Sequence, residues 1–167
     1  VTRAAYGIDI DQLRVEVIRP VLTYLGLHSV AAEQLVLGTA LTESLAGYIK
    51  QLGNGPALGL WQMEPATHDD IFNNYLAFHS DLREKVTDFA TRSLVTCGAR
   101  ELIGNLFYGA AMCRVHYRRV REALPAAGDT HGLAQYWKTY YNTALGAGDV
   151  QHALQHFEVA CGYARRG

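Results

Sequence analysis

From Leu35 to Leu41 the chain reads LVLGTAL, an apolar run interrupted only by Gly38 and Thr39. A helix through this run has no wide polar face to offer water, so it belongs at the centre of the molecule. Ser29 supplies an N-cap upstream, and the helix extends into the following TESL. Elsewhere helical periodicity dominates and alternating strand patterns are nearly absent, which predicts a mainly α fold. Ile10, Leu13, Val17, Ile18, Val21 and Leu22 recur at three- and four-residue steps, predicting a first helix that Pro20 kinks or cuts short and Gly26 ends. Pro65 suits the first turn of another helix, with Asp69 and Asp70 near its positive end, and a further helix is expected near Ser80. A long helix is predicted through Leu102, Leu106, Ala110, Cys113, Tyr117, Val120 and Leu124, closed by Pro125. Two shorter patterns follow, around Ala134 to Tyr141 and Val150 to Tyr163.

The 167 residues, 49% of them hydrophobic, suit one domain spanning residues 1–167 with a sizeable core. Cys97, Cys113 and Cys161 are odd in number and widely spaced, which favours buried thiols over disulfides. Fifteen basic against sixteen acidic side chains leave a net charge of −1, so no overall field points to nucleic acid or an anionic membrane. Arg114, Arg118, Arg119 and Arg121 cluster on one helical pattern and are expected on its solvated face. No apolar stretch approaches the ~20 residues of a membrane span, and the opening VTRAAYG lacks the layout of a signal peptide. A target outside the cytoplasm would then require delivery by something else. His152 and His156 share a helical face, but no glutamate follows as in H-E-x-x-H and no third ligand is evident, so no metal is expected. His68 beside Asp69 and Asp70 suggests acid-base work, yet residues at the start of a helix explain it equally well, and neither a Gly-x-Ser-x-Gly elbow nor a phosphate loop is present.

The segment LGNGPALG, Leu52 to Gly59, contains three glycines, an asparagine and a proline, which excludes regular helix and leaves a loop with at most a short β element near residues 48–63. On one side of it lies Glu43, near the end of the apolar helix, with Val36 and Ala40 seven and three residues back on neighbouring stripe positions. Desolvation raises a carboxyl pKa, and a glycosidase acid needs a value lifted from about 4.3 toward roughly 6. On the other side lies GLWQMEPAT, Gly59 to Thr67.

Four strings in order carry a resemblance: TES at Thr42 to Ser44, GLWQMEPAT, NLFYGAAM at Asn105 to Met112, and YYNTALGAG at Tyr140 to Gly148. Together they resemble the ordered motifs of the soluble lytic transglycosylases, bacterial and phage enzymes with a lysozyme-like α fold that cut peptidoglycan. The resemblance extends from about Leu35 to Ala153. It implies that Glu43 is the catalytic acid and base, and that the hydroxyl of Tyr141 orients the carboxyl or the substrate. It further implies a saccharide groove in which Gly59 permits close backbone approach, Trp61 offers an aromatic surface, Gln62 offers an amide, and Asn142 takes part while holding its turn. Asn105 and Tyr108 would brace the helix behind the cleft, and Met63 would be core. The implied partner is the peptidoglycan glycan strand, the implied state a monomer, and no cofactor is required.

Two departures bear on the product. Gly53 or Asn54 stands where the transglycosylases tend to have a serine, and Glu64 stands where they have methionine. Goose-type lysozymes are similar in having a Gly-Asn-Gly turn and an acid after the glutamine, matching Gly53-Asn54-Gly55 and Glu64, although their upstream aspartate corresponds to about Gln51. Glu64 as a second carboxylate at roughly 6.5 to 9.5 Å would activate water and make a hydrolase; its alternative is a helix N-terminal charge before Pro65. The sequence therefore predicts a peptidoglycan-cutting enzyme of the transglycosylase kind, of the sort phages use as endolysins or virion components. A lysozyme and a non-cutting peptidoglycan-binding module are the alternatives.

Overall fold

A computed structural model describes residues 7–142 and 148–163. The described residues are mainly helical, and their only β pairing is two isolated antiparallel bridges, Lys50 with Leu58 and Leu58 with Met63. Helix α1 runs from Ile10–Gln12 through a π-wound segment, Leu13–Ile18, into Arg19–Leu25. Pro20 therefore neither breaks the helix nor cuts it short. In a regular α-helix its ring would meet the carbonyl of Glu16, and the wider π turn just before it relieves that clash. Gly26 ends α1 in the left-handed region at φ 71°, donating its N–H to the Leu22 and Thr23 carbonyls.

Helix α2, Val30–Ser44, is the central one. The Ser29 hydroxyl accepts the Ala32 N–H at 3.1 Å as N-cap, and Leu35, Val36, Leu37 and Ala40 are fully buried. Gly38 has a packing reason: a Cβ there would lie 2.3 Å from the Phe157 ring, so its absence lets α7 (Val150–Tyr163) lie directly against α2. Thr39 satisfies its buried hydroxyl on the Leu35 carbonyl and the Tyr117 hydroxyl, both at 2.7 Å. The remaining long elements are α3 (Pro65–Asn74), α4 (Ser80–Asp88), α5 (Leu106–Arg118) and α6 (Thr130–Trp137), the last passing into a π-wound turn, Lys138–Asn142. One apolar core joins residues from Leu13 on α1 to Cys161 on α7.

Helix α5 is shorter than the Leu102-to-Leu124 periodicity predicts. Gly98–Ile103 is a 3₁₀ segment, held because the buried Glu101 carboxylate accepts from the Thr91 N–H, the Thr91 hydroxyl, Asn105 and Arg92. These four donors place the Glu101 pKa at about 2 despite burial, which acts in the opposite direction. Asn105 then caps α5 through the Tyr108 N–H. Val120 and Leu124 pack on the core from a bend beyond Arg118.

The arginine cluster also differs from expectation. Arg114 is buried, its Nε–H donating to the Leu27 carbonyl, because α5 is covered on this side by the end of α1. Arg119 reaches α3 to pair with Asp70, while Arg118 and Arg121 do face solvent. A second buried charge centre has no counterpart in the sequence reading: Glu33 on α2 receives Arg14, Arg19 and His28. Cys113 and Cys161 are buried, whereas Cys97 is only half-buried. No helix among the described residues is long and apolar enough to cross a membrane.

Candidate active site

The end of α2, the loop after it, the start of α3, the last turn of α5 and the π turn after α6 line a cavity of about 470 Å³. Glu43 lies one residue before the end of α2, where the chain leaves the helix through Leu45 and Ala46, both in the left-handed region at φ 55° and 50°. Neither is glycine, so the backbone is strained beside the carboxyl. Ser44 secures the exit by donating its hydroxyl to the Leu60 carbonyl at 2.6 Å, and Tyr48 donates to the backbone carbonyl of Glu43 at 2.8 Å.

The Glu43 side chain receives a single hydrogen bond among the described residues, from Trp137 Nε1–H to Oε1 at 2.9 Å. Burial raises its pKa to about 7, and the indole N–H, which favours the charged form, limits the rise. At neutral pH the carboxyl thus divides between its acid and base forms, the condition for giving a proton and later taking one.

The cavity brings together five of the seven residues singled out in the sequence: Glu43, Gln62, Glu64, Tyr141 and Asn142. Gln62 has φ 47°, a strained value for a residue with a Cβ, held in a tight turn by its backbone N–H and side-chain Nε2 both donating to the Gly59 carbonyl. Glu64 is exposed at the N-cap position of α3 with no side-chain cap bond, and Thr67 one turn on lines the same cavity. Asn142 faces the cavity while its Oδ1 accepts from Lys138 at 2.8 Å. Of the motif YYNTALGAG, residues 143–147 lie outside the described residues.

Three expectations need correction. Trp61 is core, 2% exposed, with Nε1–H donating to the Val36 carbonyl on α2, so it offers no aromatic surface to a saccharide. Gly59 is buried too, and the close approach it permits is to the protein itself: at φ 74°, a Cβ would lie 2.4 Å from the Leu102 carbonyl oxygen. The Tyr141 hydroxyl donates to the Trp61 carbonyl at 2.7 Å and not to Glu43, so of its two expected roles it does not orient the carboxyl, although the residue lines the cavity; it ties the π turn to the GLWQ loop. Met63 is core, and Asn105 and Tyr108 brace α5 as expected, the buried Tyr108 hydroxyl meeting His68 Nε2 at 2.7 Å.

The site residues that were not predicted include Tyr48, Gln51, Thr67 and His116 on the cavity wall and Trp137 on the Glu43 carboxyl. Trp137 had a local signal, since it stands four residues before Tyr141 and so shares its helix face. His116 had none, because its place in the cavity depends on how α5 meets α6. Burial, then the nearby Arg119 charge, lowers its pKa to about 4, so it is neutral at physiological pH. Among the described residues no group of histidine, cysteine, aspartate and glutamate could hold a metal ion.

The described residues form a mainly helical protein in which a half-buried carboxyl, its pKa raised to about 7 by burial, faces a cavity with amide and hydroxyl groups around it. Compared with known proteins, the chain matches no family model, no curated protein and no solved structure.

Proposed function

We propose that this protein is a lysozyme-like enzyme that cuts the β-1,4 bond between N-acetylmuramic acid and N-acetylglucosamine in peptidoglycan, as a lytic transglycosylase. One observation carries the reading: Glu43, at the strained end of a buried helix, faces a cavity with its pKa raised to about 7 by burial. The order of the motifs around Glu43, Gln62 and Tyr141 supports the same reading, as do the neutral amides of Gln51, Gln62 and Asn142 in the cavity wall, which suit a sugar bearing N-acetyl groups.

In this reading the protonated Glu43 gives its proton to the bridging oxygen while the anomeric C–O bond breaks, its electron pair going to that oxygen and an oxocarbenium-like state forming. The Glu43 carboxylate then takes the proton of the muramic acid C6 hydroxyl, whose oxygen bonds to the anomeric carbon. A 1,6-anhydro end results, no water is consumed, and Glu43 is protonated again. Trp137 keeps the carboxyl oriented through both steps. The target would be wall peptidoglycan, and a bacteriophage endolysin or virion-borne enzyme is the source this activity suits.

A second reading rests on Glu64, a carboxylate lining the same cavity. Acting on a water, it would yield an ordinary reducing end and make the protein a lysozyme-type hydrolase. Mass spectrometry of muropeptides released from purified peptidoglycan by the wild type and by Glu43→Gln tests both. Anhydro ends from the wild type alone are expected. Reducing ends would transfer the reading to the hydrolase, and binding without release by either protein would leave a recognition module.

A further inference from the structure

We propose that His116 is a positioning residue of the candidate site: its imidazole, fixed as the neutral Nε2–H tautomer, sets the wall carrying Tyr141 against the loop carrying Gln62. The proposal rests on the reading of this cavity as a glycosidase site, and the geometry fixes the tautomer. Nε2 lies 3.0 Å from the Tyr140 carbonyl, which can only accept, so Nε2 carries the hydrogen. Nδ1 lies 2.7 Å from an Arg119 guanidinium nitrogen, which can only donate, so Nδ1 accepts. Arg119 is itself held by Asp70 across the gap to α3.

Each bond has a consequence for the cavity. The Nε2–H bond fixes the backbone at Tyr140, directly before Tyr141. The imidazole also stands edge-on to the Tyr141 ring, with centroids 4.9 Å apart at 89°. Tyr141 in turn donates to the Trp61 carbonyl, immediately before Gln62. The chain Asp70, Arg119, His116, Tyr141, Trp61 therefore spans from α3 through α5 and the π turn to the loop that faces Glu43. Protonation of Nδ1 would set one donor against another and expel Arg119. The groups facing His116 oppose it: burial and the Arg119 charge hold the imidazole neutral, outweighing the Tyr140 carbonyl and Asp70, and Glu43 and Glu64 belong to the other walls of the cavity.

The test compares His116→Phe, which keeps a ring but loses both bonds, with His116→Gln, which keeps a neutral donor and acceptor. On a soluble peptidoglycan oligosaccharide, His116→Phe is expected to lower kcat about 10- to 100-fold, with KM within about threefold of wild type. His116→Gln should restore kcat to within about threefold. Equal losses in both variants, or none in either, would overturn the proposal, because a ring that only fills space would be served by Phe. If His116→Phe does not fold, the nitrogen-15 spectrum of the wild-type imidazole decides, since an Nδ1–H tautomer at pH 7 contradicts the arrangement. If the wild type cleaves nothing, the functional reading fails by itself. The inference is then judged by that spectrum and by amide exchange at Tyr140 to Asn142, which Arg119→Met should accelerate at least tenfold and which an unchanged rate would refute.

Discussion

Replacing Glu43 by glutamine is expected to stabilise the protein, and to do so only above acid pH. In the unfolded chain a glutamate titrates near 4.5, whereas in the folded protein burial moves Glu43 to about 7. Between these values the folded state holds a proton that the unfolded state has released, so stability falls as pH rises through this window and levels off above it. The gap of about 2.5 pH units, at about 1.36 kcal/mol each, amounts to roughly 3 kcal/mol of destabilisation at pH 8 and to almost none at pH 4. Glutamine keeps an oxygen for the Trp137 N–H and carries no charge to bury. Urea unfolding of the wild type and Glu43→Gln at pH 4 and pH 8 measures the difference directly. The variant should gain up to about 3 kcal/mol at pH 8 and remain near wild type at pH 4. A gain of the same size at both pH values would refute the reasoning, because it would show that the advantage comes from packing and not from an elevated carboxyl pKa.

Other consequences are as direct. Cleavage by the wild type should decline as pH rises through about 7, since the acid step needs protonated Glu43, and a rate still climbing at pH 9 would exclude Glu43 as that acid. Trp137→Phe removes the donor that favours the carboxylate, so the midpoint of that decline should move upward by about one pH unit; hydrogen bonds to charged groups are worth about 1.5–3 kcal/mol. Glu64→Gln should leave anhydro products and at least about a third of the rate if Glu43 serves alone, while loss of turnover with reducing-end products in the wild type would favour the hydrolase. Gly59→Ala places a Cβ against the Leu102 carbonyl at a left-handed φ and should cost about 2 kcal/mol or more, read as a lowered urea midpoint.

What could be read in the sequence was what depends on nearest neighbours along the chain. The Ser29 cap, the Gly26 stop, Pro65 in the first turn of α3 and the apolar run of α2 each act within a turn or two, and each is found where expected. The position of Glu43 beside that run follows from helix periodicity for the same reason. The two misassigned loop residues show the limit. A glycine that must admit a neighbouring backbone and a tryptophan that must fill space look identical whether the neighbour is a ligand or the protein, and here they are the Leu102 carbonyl and the core under α2. The end of α5 was misplaced because Val120 and Leu124 keep helical spacing while reaching the core from a bend. His116 joins the site only through contacts between elements, and nothing local to it foreshadows them, whereas Tyr48 stands five residues after Glu43 and bonds back to its carbonyl.

The two carboxylates at the cavity are treated in opposite ways by the fold, and that contrast bears on the product. Glu43 is enclosed, has one protein donor on its carboxyl and is pushed toward neutrality; Glu64 stands exposed at the start of α3 with no side-chain cap bond. A water-activating base needs its negative charge held steady and directed at one water, which calls for neighbours that fix its rotamer. The fold has placed such a contact on Glu43 instead: Trp137 holds the carboxyl, while Tyr48 on the Glu43 backbone carbonyl and Ser44 on the Leu60 carbonyl fix the helix exit that carries it. A reaction that returns a proton to the same carboxyl asks for one well-held group of intermediate pKa, and a hydrolase of the inverting kind asks for two. If the protein cuts peptidoglycan as proposed, this distribution of supporting contacts predicts the anhydro product, and the glycan ends left by Glu64→Gln decide whether that inference from support to mechanism holds.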